Sequence, residues 1–193
     1  MINSVINLWQ VLNICPITEG KTLKTPKYLA HLALLTTFAL VIHTIESFIP
    51  VPIPVPGVKL GLANVITLLA FVLYGLKAAL VIAVVRTTLG SIFAGNFLAT
   101  GFYLSFGGAL VSALAMAFGI YLWRRDKISL VAVSIMGAVA HNTTQATLAA
   151  LILANFYLIP LYLPVLLVAA LPTGFLTGLA VTYSHKALTR VIK

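Results

Sequence analysis

The chain has 193 residues, of which 61% are hydrophobic and only 8% charged, and its formal net charge is +9. A soluble domain is about one quarter charged, so a water-soluble enzyme is excluded and residues 1–193 read as a single integral membrane domain. The one cysteine, Cys15, has no metal-ligand spacing around it and cannot form an internal disulfide, which leaves no zinc or iron–sulfur framework and no redox role.

Residues 1–28 read as a cytoplasmic or interfacial segment. The opening MINSVINLWQ lacks the basic start and small-residue cleavage site of a signal peptide, so it is expected to stay in the mature chain. It places Ile2, Val5, Ile6, Trp9 and Leu12 on one helical face opposite Asn3, Asn7 and Gln10, the pattern of a short interfacial helix or of a frayed terminus. Apolar runs between turn signals then predict an all-α membrane fold, a bundle of six transmembrane helices at 29–48, 59–74, 77–94, 101–122, 130–154 and 161–184. The bundle fills residues 29–185 and a basic tail, 186–193, ends the chain. The second and third helices part at Tyr74-Gly75-Leu76-Lys77. The other breaks fall at Asn96 to Gly101, Trp123 to Ser129 and Asn155 to Pro160.

Basic residues set the expected orientation, because lysine and arginine accumulate on cytoplasmic flanks. Lys21, Lys24 and Lys27 precede the first helix, Lys77 lies in the second turn, and Arg124, Arg125 and Lys127 lie in the fourth. Lys186, Arg190 and Lys193 end the chain, so with six spans all of these fall on one side. Only Lys59 falls on the other side, and Arg86 is left inside a helix. Five or seven spans would separate the basic termini. Both termini are therefore expected in the cytoplasm, with the protein multi-pass in the cell membrane. Topology accounts for the positive charge, so no nucleic-acid partner is needed.

Threaded onto this topology, the costly residues gather in the outer half. Glu46 ends helix 1, Lys59 and Asn64 begin helix 2, Arg86 lies in helix 3, and Asn96 lies in the turn after it. Helix 5 adds His141, Asn142, Thr144 and Gln145 near mid-depth, and Asn155 lies nearer the outside. An arginine at the bilayer centre costs about 2.5–3.5 kcal/mol even on lenient insertion scales, so Arg86 is expected to face a partner or a wet cavity. Two accounts remain open: a structural pair with Glu46, or a positive group that, with Lys59, meets an anionic or carbonyl-rich ligand while Glu46 orients it. Asn142 and Gln145, at i and i+3, share a face and could read a ligand's donors and acceptors. The threonines suit bonds to their own backbone, and His141 suits either a helix–helix hydrogen bond or a ligand. The candidate ligand-binding set is Glu46, Lys59, Asn64, Arg86, Asn96, His141, Asn142 and Gln145.

Between Glu46 and Asn64 the sequence ESFIPVPIPVPGVKLGLAN puts proline at alternate positions, Pro50, Pro52, Pro54 and Pro56. Alternate prolines forbid helix and favour an extended, semi-rigid segment. That suits a strap or lid across the outer mouth, or a stiff connector. Small residues at helical spacing mark close packing: Gly174 and Gly178 on helix 6, and Gly107, Gly108, Ser112, Ala115 and Gly119 on helix 4. On helix 1 the stripe Ala30, Ala33 and Thr37 serves packing or the docking of a partner. There is no phosphate loop of the GxxxxGK[ST] kind, and a lone aspartate, Asp126, cannot build a magnesium–diphosphate site. No catalytic or metal-binding constellation and no cofactor site is expected.

At PGVKLGLANVITLLA (Pro56 to Ala70), VRTTLGSIFAG (Val85 to Gly95) and GAVAHNTTQ (Gly137 to Gln145) the sequence resembles the Gx transporter family, which also carries the name heptaprenyl diphosphate synthase component I. The likeness spans all six helices. That family is similar in layout to the S components of energy-coupling factor (ECF) transporters, which bind vitamins on the outer side beneath the loop joining helices 1 and 2. The resemblance implies an S-component-like bundle, a small-molecule ligand, and ECF transmembrane and ATPase subunits as partners. S components usually dock through AxxxA on helix 1, where this chain has Ala33-xxx-Thr37. The synthase name implies instead an accessory or membrane-recruiting subunit, since the aspartate-rich sites of prenyl synthases are missing.

Three functions follow. The first is an S-component-like binding and translocation subunit for an anionic or polar-aromatic metabolite, with flavin- or quinone-precursor-like compounds foremost. The second is a noncatalytic membrane subunit associated with heptaprenyl diphosphate and menaquinone biosynthesis. The third is a proton-coupled secondary transporter using His43 and Glu46, one turn apart, although no inverted repeat of the kind common in such transporters is evident. The orientation is checked by single cysteines at Asn96, Asn155 and Arg125, labelled in intact cells with an impermeant reagent. Labelling is expected at Asn96 and Asn155, and labelling at Arg125 but not at Asn96 overturns the topology.

Overall fold

Each apolar run ends where a residue can no longer continue it. The computed structural model describes residues 26–48 and 61–192, with side chains as far as Ala187. The described residues form six helices and no strand: α1 (Pro26–Phe48), α2 (Asn64–Tyr74), α3 (Leu76–Phe93), α4 (Thr100–Trp123), α5 (Leu130–Ile152) and α6 (Leu158–Ile192). The expected interfacial helix near the start, the strap with Pro50, Pro52, Pro54 and Pro56, and Lys59 lie outside the described residues.

Pro26 opens α1, where its fixed φ suits a first turn. Gly75, at φ 85°, is the single residue separating α2 from α3. Ser129 caps α5 by accepting from the Ala132 amide at 3.2 Å. Helix α6 runs through Pro164 and Pro172, which membrane helices tolerate when neighbours and hydroxyls satisfy the freed backbone groups. The second helix differs from expectation. It begins at Asn64 rather than residue 59, because Gly61 sits at φ 82° and residues 61–63 form a turn closed by Asn64 N to Gly61 O at 3.0 Å.

Four helices, α1, α3, α4 and α6, are long and apolar enough to cross a membrane. Helix α5 has 23 residues, about 34 Å at the α-helical rise, but its polar run lowers its hydropathy. Helix α2, with 11 residues, reaches about 16 Å, roughly half of a hydrocarbon core.

The distribution of polarity is that of a membrane protein. Large apolar side chains cover the outside, among them Leu34, Phe38, Ile45, Val111, Leu114 and Phe118, while Arg86, Glu46, His43, His141, Asn142 and Gln145 are buried. In water such a surface would be an aggregation liability; against lipid it costs nothing, and the charges are the groups that must turn inward.

Short α2 is the hub and touches all five other helices. Its Leu68, Phe71 and Val72 pack with Met116 and Ile120 of α4, Val133 of α5 and Val181 of α6. The small-residue stripes on α4 and α6 are internal packing surfaces against α5. A Cβ on Gly174 or Gly178 would lie 2.8 Å from the Ile135 Cα or 2.6 Å from the Val131 Cα, so backbone meets backbone there. Ser112 donates to the Gly137 carbonyl at 2.8 Å, and Ser134 and Thr177 share a hydrogen bond at 2.6 Å. Thr144 and Thr147 bond back to the carbonyls of Ala140 and Thr143. The α1 stripe differs: Ala30, Ala33 and Thr37 are exposed on the outer face of the bundle.

The C-terminal ends of α3 and α5 close alike. The Asn96 amide donates to Ser91 O and Gly95 to Ile92 O; the Asn155 amide donates to Ala150 O and Ala154 to Leu151 O. Both are Schellman caps, which place one residue in the left-handed region. In α3 that residue is Gly95, at φ 69°; in α5 it is Ala154, at φ 48°. An L-residue there costs about 1–2 kcal/mol, partly offset by the greater chain entropy of glycine. Ala154→Gly is therefore expected to stabilise by up to about 1 kcal/mol, and Gly95→Ala to destabilise by a similar amount. No atom lies within 4 Å of a Cβ added at Gly95, so the second effect is one of backbone alone. Thermal unfolding of both variants in one detergent checks the opposite signs.

Candidate functional site

One end of the bundle gathers the C-terminal parts of α1, α3 and α5 and the N-terminal parts of α2, α4 and α6. The polar residues that pattern alone made costly meet there.

Arg86 is 1% exposed. Its Nη2 donates to Asn64 Oδ1 at 2.7 Å, and its Nη1 lies 3.5 Å from His43 Nδ1. The Nε has no hydrogen-bond partner. Among the described residues no direct ion pair joins Arg86 to Glu46, although the two charges are near enough to attract. Glu46 Oε1 instead accepts from the backbone amides of Gly61 and Leu62, the latter at 3.2 Å. Thus α1 grips the turn that precedes α2, and α2 in turn holds the arginine of α3 through Asn64.

His141 stands against the same turn. Its Cδ2 would lie 3.2 Å from a Cβ on Gly61, and the Asn64 Nδ2 would lie 3.1 Å from that same point. The Gln145 amide nitrogen is 3.0 Å from His141 Nε2, so the amide donates to the ring. Glycines admit both imidazoles: a Cβ on Gly108 would sit 2.9 Å from the His141 ring, and one on Gly90 would sit 2.4 Å from that of His43. No alanine fits at Gly90 unless His43 moves.

Of the candidate residues, Glu46, Asn64, Arg86, His141 and Gln145 therefore come together. Asn142 does not join them by hydrogen bond. Its Nδ2 donates to the Leu166 carbonyl at 2.7 Å, tying α5 to α6, while its Oδ1 is buried without a partner. Asn142 and Gln145, expected on one face, bond different partners: Gln145 meets His141, because the i, i+4 spacing brings the histidine ring over the amide. Asn96 lies in the turn after α3, where its main chain bonds Ser91 and Ala99 and its Oδ1 is buried without a partner. Sequence reasoning linked His43 only to the proton-coupled alternative, though its place one turn before Glu46 on the same face was legible. The amides of Gly61 and Leu62 carried no side-chain signal at all.

Chemically the cluster offers hydrogen-bond donors in a dry setting. Arg86 Nε and Asn64 Nδ2 are both buried and both without partners, whereas the one carboxylate is occupied by backbone amides. Unmade bonds of this kind cost about 1–3 kcal/mol each, more at a charged group, so the arrangement favours an acceptor that can reach them.

A family model described as heptaprenyl diphosphate synthase component I matches residues 35–184, a stretch that contains every member of the cluster. No match was found among curated proteins or among solved structures. Because the family model covers well over half of its length, the chain belongs to the heptaprenyl diphosphate synthase component I family.

Proposed function

We propose that the protein is a membrane-embedded, noncatalytic binding and translocation subunit for a small anionic or polar-aromatic metabolite, similar in role to the S components of ECF transporters. Flavin- and quinone-precursor-like compounds are the first candidates. In this reading the chain crosses the cell membrane six times, α2 and α5 included, with both termini cytoplasmic. The polar cluster then lies in the outer half, beneath the segment that carries Pro50, Pro52, Pro54 and Pro56, with Lys59 beside it.

The observation that supports this most is the bonding of Arg86. A buried arginine kept only for structure would close directly on the nearby acid, since an unpaired internal charge is strongly destabilising. Here its hydrogen bonds go to Asn64 and His43, and Nε remains open. The exposed face of α1 at Ala30, Ala33 and Thr37 is the surface offered to transmembrane and ATPase partners.

Family membership favours a second reading, a membrane component that works beside a soluble prenyl diphosphate synthase. The three acids of the chain, Glu19, Glu46 and Asp126, are too few and too scattered to hold magnesium around a diphosphate, so catalysis would rest with the partner. Affinity purification from the native membrane separates the cases. Recovery of ATPase subunits supports the transporter, and recovery of a soluble prenyltransferase supports the second reading. Recovery of neither, with uptake driven by the proton gradient, supports a secondary transporter.

Mass spectrometry of small molecules retained by the purified protein identifies the ligand, and two variants test the site. Arg86→Met alone is expected to destabilise the fold, whereas Arg86→Met with Glu46→Gln is expected to regain stability, because neutral replacement of both charges is tolerated. The stable double variant is expected to bind ligand about ten- to a hundredfold more weakly than Glu46→Gln alone, the equivalent of about 1.5–3 kcal/mol for charge-assisted hydrogen bonds. Equal binding by those two variants removes Arg86 from the site.

A further inference from the structure

Glu46 does more than balance the charge of Arg86. A single carboxylate oxygen accepts from two successive backbone amides, those of Gly61 and Leu62. Gly61 reaches this geometry at φ 82°, and a kink of that kind turns consecutive N–H groups toward one point, forming a concave anion nest. Helix α2 starts three residues later and brings the positive end of its dipole to the same turn.

One further donor borders the nest, and a second is linked to it. The Nδ2 of Asn64, a residue only 6% exposed, lies 3.1 Å from the point where a Gly61 Cβ would sit and has no hydrogen-bond partner. The Nε of Arg86 has none either, and Asn64 connects the two, since its Oδ1 accepts from Arg86 Nη2. A nest with two amides, one guanidinium and one open amide donor is more than a structural glutamate requires. The acid that fills it comes from the last turns of α1, two residues before Phe48, on the least buried of the four long apolar helices.

We propose that the turn at Gly61 and Leu62, bordered by Arg86 and Asn64, is the subsite for the anionic group of the ligand, and that Glu46 occupies it as an internal stand-in which the ligand displaces. Because the occupant is a carboxylate, the ligand group is a carboxylate. The inference rests on the ligand-binding reading above and names the group that site receives.

The test uses the full chain in lipid nanodiscs with formate, acetate and inorganic phosphate as probes. Glu46→Gly empties the nest and is expected to lower the unfolding midpoint, which formate and acetate then restore saturably, at concentrations at least about tenfold below any that shift the wild type. Should Glu46→Gly not fold, Glu46→Gln keeps an acceptor for the amides without the charge; it is expected to bind acetate at least about tenfold more tightly than the wild type. Adding Arg86→Met to either variant is expected to abolish the response. The proposal is overturned if neither variant responds to formate or acetate, or if the response survives loss of Arg86. It is also overturned if phosphate restores stability better than the carboxylates. Failure of the underlying reading looks different: Arg86→Met with Glu46→Gln would then hold the copurified metabolite as tightly as Glu46→Gln alone, whatever the small anions do.

Discussion

One buried guanidinium organises this protein. With Arg86 inside an apolar bundle, three residues on two other helices supply hydrogen bonds or charge: Asn64 at the start of α2, His43 on α1 and, through space, Glu46, also on α1. An uncompensated charge in that setting would cost several kcal/mol. The bundle can therefore close only with α1, α2 and α3 in register at this end, and the register is passed on through the Gly61 turn to His141 of α5.

Short α2 is what makes such a meeting possible. A helix that spanned the full bilayer would carry its N-terminus to the membrane surface, where water satisfies the amides. Because α2 starts at Asn64, its entry turn opens among side chains and its amides must be met by one of them, which Glu46 does. The same shortness leaves a long stretch of chain between Phe48 and Gly61, where the alternating prolines lie.

The two halves of the bundle are built by different physics. Between α4, α5 and α6, glycines bring backbones into contact and hydroxyls bond across the gaps, which gives close packing. Helix α1 packs on α3 and α2 and leaves most of one face outside. Its contacts with them are apolar at Ala39, which packs with Ala70 and Ile82, aromatic where Tyr28 meets Tyr74, and polar at His43 and Glu46.

Much of this was legible in the sequence, because in lipid the rules are strict. Apolar runs ended by Gly75, by the Asn96 and Asn155 turns and by Ser129 gave six helices, five of whose starts and all of whose breaks lie within a few residues of those observed. The cost of polar groups in hydrocarbon singled out Glu46, Asn64, Arg86, His141 and Gln145 as residues that must face inward, and they do. Tertiary structure alone decided who bonds whom. Charge complementarity suggested that Arg86 pairs with Glu46, but a carboxylate satisfies two orphan amides better than a backbone can satisfy itself at a left-handed glycine, and the arginine closed on Asn64 and His43 instead. Helical spacing placed Asn142 beside Gln145 and both are buried, yet their partners differ, because α6 packed where it offers Asn142 the Leu166 carbonyl while Gln145 meets His141. A sequence records which groups are too costly to expose; only the assembled bundle determines which donor reaches which acceptor, because that depends on distances of tenths of an ångström between helices far apart in the chain.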